Sequence, residues 1–176
     1  MTLDNRKITK ELTNKIKTTS IKTSAASLSS CTLCPRNCKA DRNSRKTGFC
    51  GVDSTIYLAR AALHMWEEPC ISGKKGSGAV FFSGCGLRCC FCQNHDIAIG
   101  SRGLPVTVER LSEIFLELKE KGAANINLVT GAHYVPQIIQ ALDMAGEKGM
   151  DLPVVYNSSG YEKLETLKFL EGYVDV

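Results

Sequence analysis

The chain has 176 residues, a net charge of +4, 43% hydrophobic and 23% charged residues, and nine cysteines. These proportions exclude a disordered polymer, and no apolar run approaches the roughly 18 residues a spanning helix needs, which excludes a membrane partner of that kind. An odd number of cysteines without a secretory signal points to a reducing, cytoplasmic setting in which clustered thiols bind metal instead of pairing.

Residues 1–30 form a basic, partly flexible segment. Arg6, Lys7, Lys10, Lys15, Lys17 and Lys22 face only Asp4 and Glu11, so the whole net charge sits here. The remainder is balanced, which argues against a nucleic-acid partner. Ile8, Leu12 and Ile16 at helical spacing predict a short helix, followed by a Ser/Thr linker. The bases are mostly lysine and acids are present, which speaks against a presequence.

Residues 31–54 contain Cys31, Cys34, Cys38 and Cys50 among tight-turn residues, with too few apolar side chains to fold unaided. Four thiols are a complete, closed ligand set. Either zinc or an iron-sulfur cluster satisfies it, for structural or electron-transfer work, and the sequence leaves the two open.

The third unit spans residues 55–176. A short strand is expected at 55–59, then Cys70 as a plain buried cysteine beside Glu67 and Glu68, then a flexible turn at 72–78. From residue 79 strands and helices alternate. Strands are predicted at 79–83, over Ile126, Leu128 and Val129, at 153–156, and starting at 173–176. Between them, Leu111, Ile114, Phe115 and Leu118 make one helical stripe, Pro136, Ile138, Ile139 and Leu142 a second, and Leu164, Leu167 and Leu170 a third. Gly122, Gly149 and Gly172 are the stops.

This repeat predicts an α/β fold, a partial (β/α) barrel of parallel strands truncated after about four strands, with the Cys-rich knuckle in front. Ligands in such folds sit on loops at the C-terminal ends of strands, here 84–95, 130–134 and 157–161. The chain stops on a strand before the helix that would cover it. An incomplete protein, poorly active by itself, is therefore expected.

The first of these loops carries Cys85-x3-Cys89-x2-Cys92. Three thiolates on one loop bind three irons of a cubane and leave the fourth iron for a non-protein ligand. Zinc shared between Cys89-x2-Cys92 and Cys31-x2-Cys34 is disfavoured, because the pairs are much further apart than the ~15–20 residues usual between half-sites and Cys85 would be left over. Cys90 falls outside the spacing and reads as a small buried thiol.

The run Cys85-Gly86-Leu87-Arg88-Cys89-Cys90-Phe91-Cys92 resembles the signature of the radical S-adenosylmethionine superfamily. Its surroundings, Phe81-Phe82-Ser83-Gly84-Cys85 and Cys92-Gln93-Asn94, are similar to the pyruvate formate-lyase activating enzyme family. The resemblance implies a [4Fe-4S] cluster on Cys85, Cys89 and Cys92 with S-adenosylmethionine on the open iron, reductive cleavage to a 5'-deoxyadenosyl radical, and a glycyl-radical enzyme as the protein substrate. It also implies an electron donor such as flavodoxin or ferredoxin.

On the same likeness, Phe91 lies near the adenine, unless it simply packs under the loop. Where relatives carry Gly-Gly-Glu, this chain has Thr130-Gly131-Ala132-His133. Thr130 and the backbone of Gly131 and Ala132 would accept the methionine ammonium without a carboxylate. His133 reads as a helix-start histidine satisfied by backbone. Asn157 and Ser159 match the segment facing the ribose or carboxylate, or else cap the next helix. The rival activities are a radical enzyme acting on another peptide or small molecule, and a non-catalytic iron-sulfur or zinc protein.

Overall fold

A computed structural model of the chain describes residues 28–176; the predicted helix over Ile8, Leu12 and Ile16 lies outside the described residues. The fold is mixed α/β, a partial β/α architecture preceded by the Cys-rich segment. Its strands are β1 (Ile56–His64), β2 (Ser77–Phe82), β3 (Leu104–Val106), β4 (Ile126–Val129) and β5 (Val154–Asn157), in the order β3-β1-β2-β4-β5.

The parallel part is β2-β4-β5, with Val80 opposite Leu128 and Leu128 opposite Tyr156. Strand β2 reads as an almost continuous apolar run because it is covered on both faces. Two antiparallel strands extend this sheet on the β2 side. The first is longer than the predicted 55–59, and its register slips between Leu58 and Arg60, opposite Phe82 and Phe81. Such a bulge re-aims the side chain that follows it, here Arg60. The other, β3, is absent from the predicted strands; it holds Pro105 and forms because it is an edge strand, where proline costs no ladder bond.

Two 13-residue helices pack together on one face of the sheet, Val108–Glu120 and Val135–Glu147. Thr107 caps the first by accepting from Arg110 N–H, and Leu111, Ile114, Phe115 and Leu118 are its buried stripe, as the spacing predicts. The second has its proline in the first turn and buries Ile138, Ile139 and Leu142. Apart from Ile139, which packs with Val135 and Leu170, these residues meet Val80, Phe82, Ile126 and Leu128 in one core.

The third predicted helix is reduced to one turn, Leu164–Leu167, continued by a 3-10 turn, Lys168–Leu170. Leu164 is 66% exposed and only Leu170 of the expected stripe is buried. Residues 173–176 form no strand, yet they start along β5, where Val154 O accepts from Asp175 and Val176, and Tyr156 N–H donates to Val176 O. No helix among the described residues is long and apolar enough to cross a membrane.

Candidate functional site

The site begins where β2 ends. Gly84 turns the chain with φ +87, and a Cβ there would lie 2.8 Å from the Cys50 carbonyl oxygen, so the turn and the close approach both require glycine. Gly84 N–H donates to Ile97 O at 2.8 Å, Cys85 N–H donates to Cys50 O at 3.2 Å, and Cys92 N–H donates to Cys89 O at 3.2 Å. Cys85, Cys89 and Cys92 are all half-buried on this loop. Cys90 is exposed on its crest and Cys70 is exposed on the short helix Pro69–Ser72, so the expectation that both are buried is corrected. Neither has an apolar layer above it.

The Cys-rich segment is clamped against the same loop. Arg36 donates from Nε to Gly86 O (3.0 Å) and from Nη2 to Leu87 O (3.3 Å). Its guanidinium lies 3.9 Å from the Phe49 ring centre, and that of Arg88 lies 5.4 Å from the same centre. Cys34 Sγ sits 3.3 Å from where a Gly86 Cβ would be. Within the segment, the position a Gly48 Cβ would occupy is 3.3 Å from both Cys38 Sγ and Cys50 Sγ. Burial pushes the Cys50 and Cys34 thiols up; Arg42 opposes it at Cys50, and the neighbouring Cys31 adds to it at both.

Arg42 is the largest fully buried side chain. It donates to Asp53 O (2.7 and 3.1 Å), to His133 O (2.6 Å) and to Cys31 Sγ (3.8 Å). Among the described residues it makes no ion pair with a carboxylate.

At the end of β4, Thr130 has φ +59, a left-handed conformation that a β-branched residue rarely adopts and that marks stored strain. Gly131 is buried and a Cβ on it would meet Ile138 Cδ1 at 2.7 Å. His133 is buried with Nε2 2.8 Å from Ser83 O; the carbonyl can only accept, so Nε2 carries the proton. Burial, helped by the Arg42 charge, pushes its pKa down to about 3. It is a satisfied core histidine, as expected.

Thr130, Ala132 and Ser159 share one narrow cleft with Cys85, Cys34 and Glu162. Asn157 instead lines a separate cavity of about 440 Å³, with Arg60, Phe81, Gln93 and Asn94. Phe91 is 86% exposed, so it does not pack under the loop. Sequence reasoning missed Glu162, a carboxylate just past the third loop that lines the same cleft; it accepts from Ser158 Oγ at 2.6 Å. It also missed Arg36 and Arg42, whose partners are distant backbone carbonyls with no sequence signal.

A family model described as the radical SAM superfamily matches residues 79–176, from β2 through all three loops. The chain belongs to the radical SAM superfamily. It is also 30% identical over 153 residues to an uncharacterized protein of Methanocaldococcus jannaschii, an alignment covering 83% of this chain and 43% of that protein. The chain thus spans less than half the length of this relative. No solved structure matches it.

Radical SAM proteins work with a [4Fe-4S] cluster and S-adenosylmethionine. The donor set here suits that cluster, being three half-buried thiols on a loop at the C-terminal end of a parallel strand. Among the described residues no three His, Cys, Asp or Glu side chains surround a point that could hold one metal ion. A cubane does not ask for that, since each iron takes a single thiolate.

Proposed function

We propose that Cys85, Cys89 and Cys92 hold the [4Fe-4S] cluster of a radical SAM enzyme, and that the adjoining cleft receives the methionine end of S-adenosylmethionine. The observation that carries this reading is the convergence of Cys85, Thr130, Ser159 and Glu162 on one cleft, from loops that follow three neighbouring parallel strands. When bound, cluster and S-adenosylmethionine together supply a 5'-deoxyadenosyl radical that removes a hydrogen atom from the substrate.

The chain's own residues hold and orient. Glu162 takes the role of the missing acidic residue and accepts the methionine ammonium, helped by the Thr130 and Ala132 backbone. Ser159 offers its hydroxyl to the sugar or carboxylate, whereas Asn157 faces the neighbouring cavity. The exposed ring of Phe91 is free to stack on adenine. The cavity lined by Arg60, Gln93, Asn94 and Asn157 takes the reacting part of the substrate.

The finer reading is an activase that creates a glycyl radical on a partner enzyme. Its support is the likeness of Phe81-Phe82-Ser83-Gly84-Cys85 and Cys92-Gln93-Asn94 to the pyruvate formate-lyase activating enzymes. A second reading, hydrogen abstraction from another peptide or a small polar molecule, is favoured by the polar lining of the cavity. Anaerobically reconstituted, dithionite-reduced chain should convert S-adenosylmethionine to 5'-deoxyadenosine and methionine. If it forms none, and Cys85→Ala leaves the iron content unchanged, the protein is a non-catalytic metal protein. A glycyl-radical signal appearing on an added glycyl-radical enzyme separates the activase from the other reading.

A further inference from the structure

Four thiols, a buried cation and the catalytic loop are joined in one small volume. Arg42 is fully buried and, among the described residues, its hydrogen-bond partners are neutral carbonyls and the Cys31 sulfur. A buried guanidinium without an anion costs several kcal/mol, so neutral thiols are a poor environment for it. A centre carrying four thiolates supplies that missing negative charge.

Zinc and a cubane both would do so, but they ask for different geometry. Zinc at ~2.3 Å from each sulfur draws all of its ligands around one point. Among the described residues no three such ligands are gathered that way. Cys38 and Cys50 stand on either side of Gly48, which has no side chain to fill the space between them. Two thiols held on either side of such a space suit a cluster that takes one thiolate per iron.

The same knuckle touches the catalytic loop at three points. Cys50 O accepts from Cys85 N–H, Cys34 Sγ packs on Gly86, and Arg36 holds the Gly86 and Leu87 carbonyls. One hydrogen bond separates a ligand of one set from a ligand of the other, a short route for an electron.

We propose that Cys31, Cys34, Cys38 and Cys50 hold a second, redox-active iron-sulfur cluster, counter-charged by Arg42, which accepts electrons and passes them to the catalytic loop across the Cys50–Cys85 contact. One electron leaves a low-potential donor protein of the ferredoxin or flavodoxin class, which is oxidised by one unit. The knuckle takes it up and then hands it to the loop centre, so no bond forms or breaks and no proton moves. The relay half rests on the radical SAM reading, whereas the second centre does not.

The test uses the whole chain, reconstituted anaerobically with iron and sulfide. Wild type should hold about eight irons, and Cys85→Ala/Cys89→Ala/Cys92→Ala about four, with a reduced-state paramagnetic signal that S-adenosylmethionine leaves unchanged. Retention of no iron by this triple variant, or of one zinc, overturns the second cluster. Cys34→Ala/Cys38→Ala, which alters the more exposed pair, should also hold about four irons, with a signal that S-adenosylmethionine perturbs. If that variant holds none while the triple variant keeps its cluster, the catalytic reading has failed and the second centre stands. Mixed with reduced ferredoxin, wild type should bleach its loop cluster at least tenfold faster than Cys34→Ala/Cys38→Ala, and equal rates overturn the relay. As an independent check on folded protein, Arg42→Lys should keep the potential of the second cluster near that of wild type, and Arg42→Gln should move it to more negative values; no shift in Arg42→Gln overturns the counter-charge role.

Discussion

At Gly84 the chain turns with φ +87 while the Cys50 carbonyl stands 2.8 Å from where a side chain would begin. Gly84→Ala therefore strains the turn and pushes the Cys50 carbonyl away from Cys85 N–H; a loss of about 2–3 kcal/mol in urea unfolding is expected, and a change below about 0.5 kcal/mol would show that the loop yields. Glu162 is tested by charge: Glu162→Gln should weaken S-adenosylmethionine binding about tenfold or more, read by equilibrium binding, with the iron content intact. His133 is a base kept neutral, its pKa pushed down to about 3 by burial. Above pH ~6.5 it is neutral in the folded and the unfolded chain alike, and its contribution is complete. As pH falls from there toward 3, only the unfolded chain binds the proton, so stability drops by about 1.4 kcal/mol per pH unit. His133→Gln keeps a donor for Ser83 O and removes this slope. Parallel stability curves for the two proteins between pH 4 and 6 would assign the acid limb to another group.

Among the elements, those with a regular period were legible and those held by partners were not. The stripe Leu111, Ile114, Phe115 and Leu118 announces a buried helix, and Thr107 and Gly122 bound it, because local spacing alone decides which face is apolar. Leu164, Leu167 and Leu170 show the same spacing in only two turns, too short to nucleate, and Leu164 stays 66% exposed. The contrast predicts unequal costs. Leu118→Ala should lose about 3 kcal/mol, because Leu118 is buried against Gly78 under the sheet, whereas Leu164→Ala should change stability by less than about 0.5 kcal/mol. Equal effects in chemical denaturation would mean that the second segment is packed. The β1 bulge and β3 escaped the sequence for another reason: a register slip and an edge proline acquire meaning only beside a partner strand.

For the whole molecule, the parallel pairings β2–β4 and β4–β5 follow from the order of the apolar runs, whereas the antiparallel pairings of β1 with β2 and β3, and the joint between knuckle and loop, do not. The cysteine spacings pick out two candidate ligand sets but do not tell that the two sets share a hydrogen bond between Cys50 and Cys85. That joint is built from backbone carbonyls, which every residue possesses, so no residue pattern encodes it. The same applies to Asn157 and Ser159, two residues apart in one predicted loop, which face a cavity and a cleft respectively.

The Arg42 to His133 hydrogen bond ties residues 91 positions apart. Contacts of such long range form late, because a large loop of chain must close first. The knuckle can therefore reach its final shape only once β4 and the turn after it are in place, and for the proposed second cluster this orders maturation: sheet first, metal second. In refolding with iron and sulfide present, far-UV circular dichroism should recover before charge-transfer absorbance from the knuckle appears in Cys85→Ala/Cys89→Ala/Cys92→Ala. Simultaneous recovery would mean that metal nucleates the fold. A sheet that folds first can wait for the proposed second cluster, and iron scarcity would then leave the sheet intact while the knuckle, too poor in apolar side chains to fold unaided, stays unformed.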